Sequence, residues 1–250
     1  MSPKFPFLIC CVLGFAPIPS EGVVTMIDDF EINEGHFTSA PSTSGSTAGE
    51  TETAPNVGPS TADWDATVGQ ASTASQRIFL DDDPAIPVTD LGTSVAWRLR
   101  HLSGGGTPAN NVSLVNNATS HVGYWMLTSS PNLEAGIMLD DGAALERAAV
   151  IPVIADGQWH LYQWQLSDAT QWEPFAGSGP NGAIDAATAT IDSIFVRSLL
   201  GTGDQDAVFS IDNVSFNDAG PLPVPEPSTL FLAAASLTGV LVRRRRRPIA

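Results

Sequence analysis

"WHLYQWQL", Trp159–Leu166, alternates in polarity from one residue to the next. Side chains of a β-strand point to opposite faces with a period of two. Trp159, Leu161, Gln163 and Gln165 therefore share one face, and His160, Tyr162, Trp164 and Leu166 share the other. The second set is the more apolar and is expected to face a core. A helix would scatter both sets around its circumference, so this stretch reads as a strand with one buried side.

The same period recurs on both sides of it. In "SVAWRLRHL" (Ser94–Leu102), Val95, Trp97 and Leu99 lie opposite Arg98 and Arg100, which are expected on an outer or concave sheet face. "VVTMIDDFEI" (Val23–Ile32) sets Met26, Asp28, Phe30 and Ile32 against Ile27, Asp29 and Glu31. "HVGYWMLTS", "EAGIMLD", "ATIDSIFVRSL" and "AVFSIDNVSF" are further short runs bounded by Gly, Pro, Asn or Asp. Short strands at such spacing, with no capped helical period, predict an all-β chain folded as an antiparallel β-sandwich. Residues 36–74, rich in Ser, Thr, Gly and Pro, read as a long surface excursion carrying one short strand.

Charge and cysteine content narrow the function classes. The chain of 250 residues holds 27 acids against 11 Lys and Arg, a formal net charge of −16. Between Val23 and Pro223 the cations are Arg77, Arg98, Arg100, Arg147 and Arg197 alone. Such a body repels nucleic acid and anionic lipid, so no nucleic-acid partner is expected. Cys10 and Cys11 are adjacent and have no distant partner, which removes a disulfide framework and a thiolate metal site. Stability is left to packing, helped at most by a hard cation.

The two ends read as processing segments. Residues 1–22 place Lys4 before an apolar run from Phe5 to Ala16 and then small, turn-forming residues, the pattern of a signal peptide. At the other end Pro225-Glu226-Pro227 precedes an apolar stretch at 228–242 and then Arg243, Arg244, Arg245, Arg246 and Arg247. Read as a helix, Leu230–Val242 spans roughly 20 Å, short of the ~30 Å hydrocarbon core. Snorkelling arginines and local thinning make up part of the difference, and the basic run stays cytoplasmic. The expected organisation is thus 1–22 signal, 23–219 sandwich and 220–250 tail.

This tail resembles the PEP-CTERM sorting signal of Gram-negative bacteria. The resemblance implies export, a transient hold in the inner membrane by a short transmembrane helix, and cleavage near Pro225–Pro227 by exosortase. It further implies a final place at the cell surface or in the extracellular matrix, among exopolysaccharide. No catalytic role follows from it, because the signal is another enzyme's substrate.

Candidate site residues lie in the body. Carbohydrate-binding sandwiches use aromatic rings as platforms for sugar C–H faces and polar side chains for the hydroxyls. Trp125, Trp159 and the loop residue Trp172 are the candidate platform, with Arg98 and Arg100 as polar partners. "DDFE" (Asp28–Glu31) and "IDNVSF" (Ile211–Phe216) resemble the first and last strands of galactose-binding-like jelly rolls, the fold of many carbohydrate-binding modules. That resemblance implies a structural Ca²⁺ held by Glu31 and Asp212, with oxygen ligands of the right hardness. "DGQWH" (Asp156–His160) is similar instead to a strand entry of laminin-G or concanavalin-like sandwiches. The acidic pairs at Asp81–Pro84, Leu139–Gly142 and Asp204/Asp206 read as turn formers.

Signatures of catalysis are missing from the sequence. His36, His101, His121 and His160 show no HExxH spacing, there is no Gly-x-Ser-x-Gly elbow, and "SGGGTP" lacks the Lys of a phosphate loop. The function expected is a non-catalytic surface or matrix protein that binds or organises exopolysaccharide. A structural or adhesive protein that recognises protein is the alternative, and a polysaccharide-active enzyme stands third.

Overall fold

The computed structural model describes residues 24–224, and they form a jelly-roll sandwich of two antiparallel sheets. Numbering strands in chain order, one sheet runs β11 (Trp159–Gln165), β7 (His121–Thr128), β14 (Ala207–Asn217), β3 (Ser75–Leu80) and β2 (Thr61–Asp65), with β1 (Val24–Asp28) also paired to β14. The other runs β12 (Trp172–Gly177), β9 (Ala144–Ala148), β8 (Leu133–Asp141), β13 (Thr188–Leu199), β5 (Thr93–Leu102) and β4 (Val88–Asp90). In addition, β10 (Ile151–Pro152) pairs with β8 and β6 (Ser113–Val115) with β13. The expected signal peptide, the apolar stretch at 228–242 and the Pro-Glu-Pro and arginine elements lie outside the described residues. Among the described residues, no helix is long and apolar enough to cross a membrane.

Alternation decides which side of each strand is dry. On β11, Tyr162, Trp164 and the following Leu166 are buried, while Trp159, Leu161, Gln163 and Gln165 are half-exposed. On β5, Val95, Trp97 and Leu99 enter the core opposite Arg98 and Arg100. The core fills the space between the sheets with Ile78, Leu80, Tyr124, Ile137, Ile194, Phe209 and Ile211 among others. Burial of such side chains is worth roughly 1.5–3 kcal/mol each relative to exposure.

Large amphipathic rings carry polar ends into that core, and each finds a partner. Trp164 Nε1 donates to Ala149 O at 2.9 Å, Tyr124 OH to Gly136 O at 3.0 Å, and Trp97 Nε1 to Gln205 O at 2.8 Å. These bonds tie one sheet or its loops to the other, so they fix register as well as satisfy the groups.

At the N-terminal strand the structure departs from simple alternation. Met26 and Ile32 are exposed, whereas Ile27 is buried along with Asp28 and Phe30. The strand stops at Asp28 because that carboxylate accepts the N–H groups of Phe30 and His36, curling the chain back on itself. Phe30 consequently adopts a positive φ of 51°, which an L-residue holds only when packing over-determines it. The long Ser/Thr/Gly/Pro-rich stretch runs along the body: Phe37 is buried, Ala48 bridges to Arg98, and β2 extends the first sheet.

The outer face of the second sheet is held by charge. Asp90 is fully buried there, and its Oδ2 accepts from Arg147 Nη1 and from Arg197 Nη1, the latter at 2.6 Å. Arg197 Nε also donates to Glu134 at 2.7 Å, and Arg147 Nη2 to Glu173. Arg147 lies 4.9 Å over the ring of Phe195, which packs with Met138 and Leu145 in a small second core.

Candidate functional site

Of the three tryptophans expected on a platform, two share a surface. β7 and β11 pair with Trp125 opposite Leu161 and Trp159 opposite Leu127, so the two indoles are diagonal neighbours on the outer face of the first sheet. Backbones of such positions stand ~7–8 Å apart. Both rings are half-exposed and line a groove of about 480 Å³ with Leu161, Gln163, Ile151 and Ile154. Sequence alternation found this face because the inward residues of β11 are so strongly apolar.

Their indole N–H groups set these two apart. Trp64, Trp97, Trp164 and Trp172 each donate Nε1–H to a backbone carbonyl, at 2.6–3.0 Å. Among the described residues the Nε1–H of Trp125 and of Trp159 has no such acceptor. A ring face and a free donor side by side are what a sugar's C–H face and hydroxyls require. At the groove's rim His160 Nε2 bonds to Asp156 Oδ1 at 2.9 Å, and this imidazole contact, with the Gln158 N–H, holds the Asp156 carboxyl below its ordinary range. No Asp or Glu lines the groove itself among the described residues.

Trp172 is a correction. It opens β12, is only 4% exposed, and donates its indole N–H to Gln165 O at 3.0 Å. A residue so enclosed belongs to the core and offers no ring to a ligand. The loop composition around it suggested exposure, but the short 3-10 turn at Ala169–Gln171 turns the ring inward.

Arg98 and Arg100 lie on the other sheet, away from the tryptophan groove. Arg100 grips Asp192 with two bonds, Nε to Oδ2 at 2.8 Å and Nη2 to Oδ1 at 2.6 Å. Arg98 donates to Ser46 O at 2.9 Å and stands 5.7 Å over the Phe175 ring. The structure therefore does not bring the arginines and tryptophans into one site. Arg100 instead borders a polar cleft of about 210 Å³ with Ser44, Asn111 and Asp192.

Glu31 and Asp212, distant in sequence, converge on one segment. Asp212 Oδ2 accepts from Gln70 N and Ser72 Oγ, both at 2.7 Å. Glu31 accepts from Thr73 N at 3.0 Å, Ala74 N at 3.1 Å and Thr73 Oγ1 at 2.8 Å. A bulge in β14 after Asp212, with Asn213 at φ 49°, aims the carboxylate at this segment. Burial pushes Asp212 up to about 6 against the pull of its hydrogen bonds, and Glu31 adds to the rise. Glu31, bonded first by the Thr73 hydroxyl, is held low. Among the described residues no group of three or more His, Cys, Asp or Glu converges in metal-binding geometry. Of the acids read as turn formers, Asp83 and Asp204 accept from the N–H two residues on, Ala85 at 3.0 Å and Asp206 at 3.2 Å. Asp141 and Asp206 instead tie distant loops, accepting from Asp185 and Ala186 at 2.9 Å and from Asp82 at 2.8 Å.

Where the described chain leaves the body, the comparison with known families is decisive. Residues 223–247 match the model of the PEP-CTERM protein-sorting motif. The chain carries a PEP-CTERM sorting signal. That signal marks an exported protein handled at the membrane by exosortase. No curated protein matches the chain. Among solved structures, it is similar to the family 11 carbohydrate-binding module of the cellulosomal cellulase Lic26A-Cel5E of Clostridium thermocellum, at 14% identity over 83% of this chain and 100% of that one, with a TM-score of 0.38. It is also similar to TmCBM61, solved in complex with β-1,4-galactotriose, at 9% identity over 62% of this chain and 79% of that one, with a TM-score of 0.31.

Proposed function

We propose that this PEP-CTERM protein binds a saccharide chain without catalysis, on the face formed by Trp125 and Trp159, and so organises polysaccharide at the cell surface or in the matrix outside a Gram-negative cell. The observation that carries the reading is the pair of half-exposed indoles whose N–H groups lack acceptors among the described residues, beside Gln163 and His160. A non-catalytic role is supported by the lining of the groove, since glycoside hydrolysis uses two carboxyl groups facing each other across the substrate. Arg100 acts in this reading through the polar cleft of the second sheet, as a separate contact, and Arg98, engaged by Ser46 O and Phe175, takes no part in either site.

A glycan array on the purified protein tests it. Trp125→Ala and Trp159→Ala are expected each to weaken a positive by about ten-fold, the loss typical of an aromatic anchor, with the fold intact. Binding that survives both substitutions would move the site elsewhere. Affinity for protein partners with no glycan signal would favour the adhesive alternative.

The same reading includes a structural Ca²⁺ at Glu31 and Asp212. Its support is electrostatic: Asp212 is fully buried, has no cationic side chain bonded to it among the described residues, and has Glu31 nearby. Hard oxygen donors suit that ion, which would take the place of the Gln70 and Ser72 donors on Asp212. Calcium is expected to raise the melting temperature of the wild type and to leave Asp212→Asn unmoved. An unchanged wild type would sink this part.

A further inference from the structure

The tryptophan groove already has a neighbour from its own chain. After β14 ends at Asn217, the chain turns and crosses β7 toward β11. The turn is tied by Ala219 N to Asn217 Oδ1 at 3.0 Å, Asn217 Nδ2 to Pro221 O at 3.0 Å, and Thr119 Oγ1 to Asp218 O at 2.7 Å. Leu222 then donates its N–H to Gln163 Oε1 at 2.7 Å, and its side chain is 5% exposed. Val224 stands at the groove's edge and lines it together with Trp125 and Trp159. Three of these hydrogen bonds fix the turn after β14, and the fourth, from Leu222 to Gln163, joins the buried leucine in fastening the stretch to the face proposed above as the ligand platform.

The sorting motif begins at residue 223, inside this fastened stretch. We infer that Gly220–Val224 is a strap docked at the tryptophan groove, which presents the Pro225-Glu226-Pro227 element from a fixed point on the body and must peel away before the groove's Gln163 end is free. The occupant is thus a segment of this chain, identified by its anchor in Gln163 and by its continuity with β14. Docking does not rest on the saccharide reading, whereas competition with a ligand does. Gln163 sits at the centre of both, since its Oε1 is the strap's acceptor and its side chain lines the groove.

The test uses the full chain and needs no saccharide. Acrylamide quenching of indole fluorescence is measured on the purified protein in detergent, with Trp125→Phe and Trp159→Phe to assign the signal, and tail processing is followed by pulse-chase in an exosortase-bearing host. Leu222→Ser and Gln163→Leu should each increase quenching at the two indoles and change the rate of tail processing, Gln163→Leu by about five-fold, the factor that one net hydrogen bond implies, and Leu222→Ser by about ten-fold or more, as loss of a buried leucine side chain implies. Gln163→Glu, which keeps an acceptor oxygen, should behave as the wild type. Unchanged quenching in both disrupting variants overturns the docking. Increased quenching with unchanged processing overturns its link to sorting. Failure of the glycan array alone leaves these readouts intact and removes only the saccharide reading.

Discussion

Replacing Asp90 by alanine removes one carboxylate from beneath three guanidinium groups. Asp90 is fully buried and Arg147 is 1% exposed, so neither the partners nor water can fill the loss without rearrangement. Arg147 keeps Glu173, and Arg197 keeps Glu134, but Asp90 Oδ2 is the atom on which their Nη1 donors meet. Arg98 stands further off, at 3.6 Å from Oδ1, and is 22% exposed, so it can turn to solvent. Breaking a buried ion pair by removing one partner costs about 3–5 kcal/mol, against a total domain stability of about 5–15 kcal/mol. For a body of this size each kcal/mol moves the melting temperature by ~2–4 °C, so Asp90→Ala should melt roughly 6–20 °C lower. Urea titration is the assay, with a fall in midpoint at constant m-value as the expected signature. Adding Arg147→Met should cost less than the sum of the single changes, because the orphaned cation is then gone. A loss below about 1 kcal/mol for Asp90→Ala would refute the reasoning, since that is the scale of an exposed pair.

Trp172→Ala should destabilise the protein by about 3–5 kcal/mol as a buried large-to-small change, whereas Trp125→Ala and Trp159→Ala should cost far less, which denaturant midpoints will separate. Acid response should expose two opposing groups. His101 is buried against Phe37, bonded to Gln76, and pushed down to about 4 by burial, so the unfolded state gains a proton that the folded state refuses as pH falls from about 6.5 to 4. Asp212 is pushed up to about 6, so stability is lost as pH rises from about 3.8 to 6. Near pH 5 these two contributions oppose each other. Relative to the wild type, His101→Gln should tilt stability toward falling with pH there, and Asp212→Asn toward rising, each by up to about 1.4 kcal/mol per unit in urea titrations.

Much of the sandwich was legible from polarity alone. Tyr162, Trp164 and Leu166 had to be buried once their strand was recognised, and the same logic placed Trp97 inward and Arg98 outward. The tail was legible because its three elements are read in order by another protein, independent of the fold. What escaped was set by contacts between distant residues. Trp172 looked like a loop residue because nothing local shows that Gln165 O waits for its indole N–H. Arg98 and Arg100 shared a charge type with a binding role, but Asp192 and Ser46, which engage them, lie far away in sequence. The break in β1 came from Asp28 capturing two backbone N–H groups, a local event that alternation does not register. Neither the strap nor the indole N–H groups left without acceptors among the described residues could be found without coordinates, since both depend on which donors and acceptors the fold brings together.

The strand that leads into the tail, β14, lies inside its sheet, hydrogen-bonded to β3, β7 and β1. Tension drawn from the C-terminal end therefore runs along its length, and the rungs to β7 and β3 share the load in shear instead of opening one at a time. A body tethered by that end and pulled through its β7–β11 face would transmit force across one continuous ladder. Under such a load the sheet order would spread the strain over the middle of the sheet and not concentrate it at one edge.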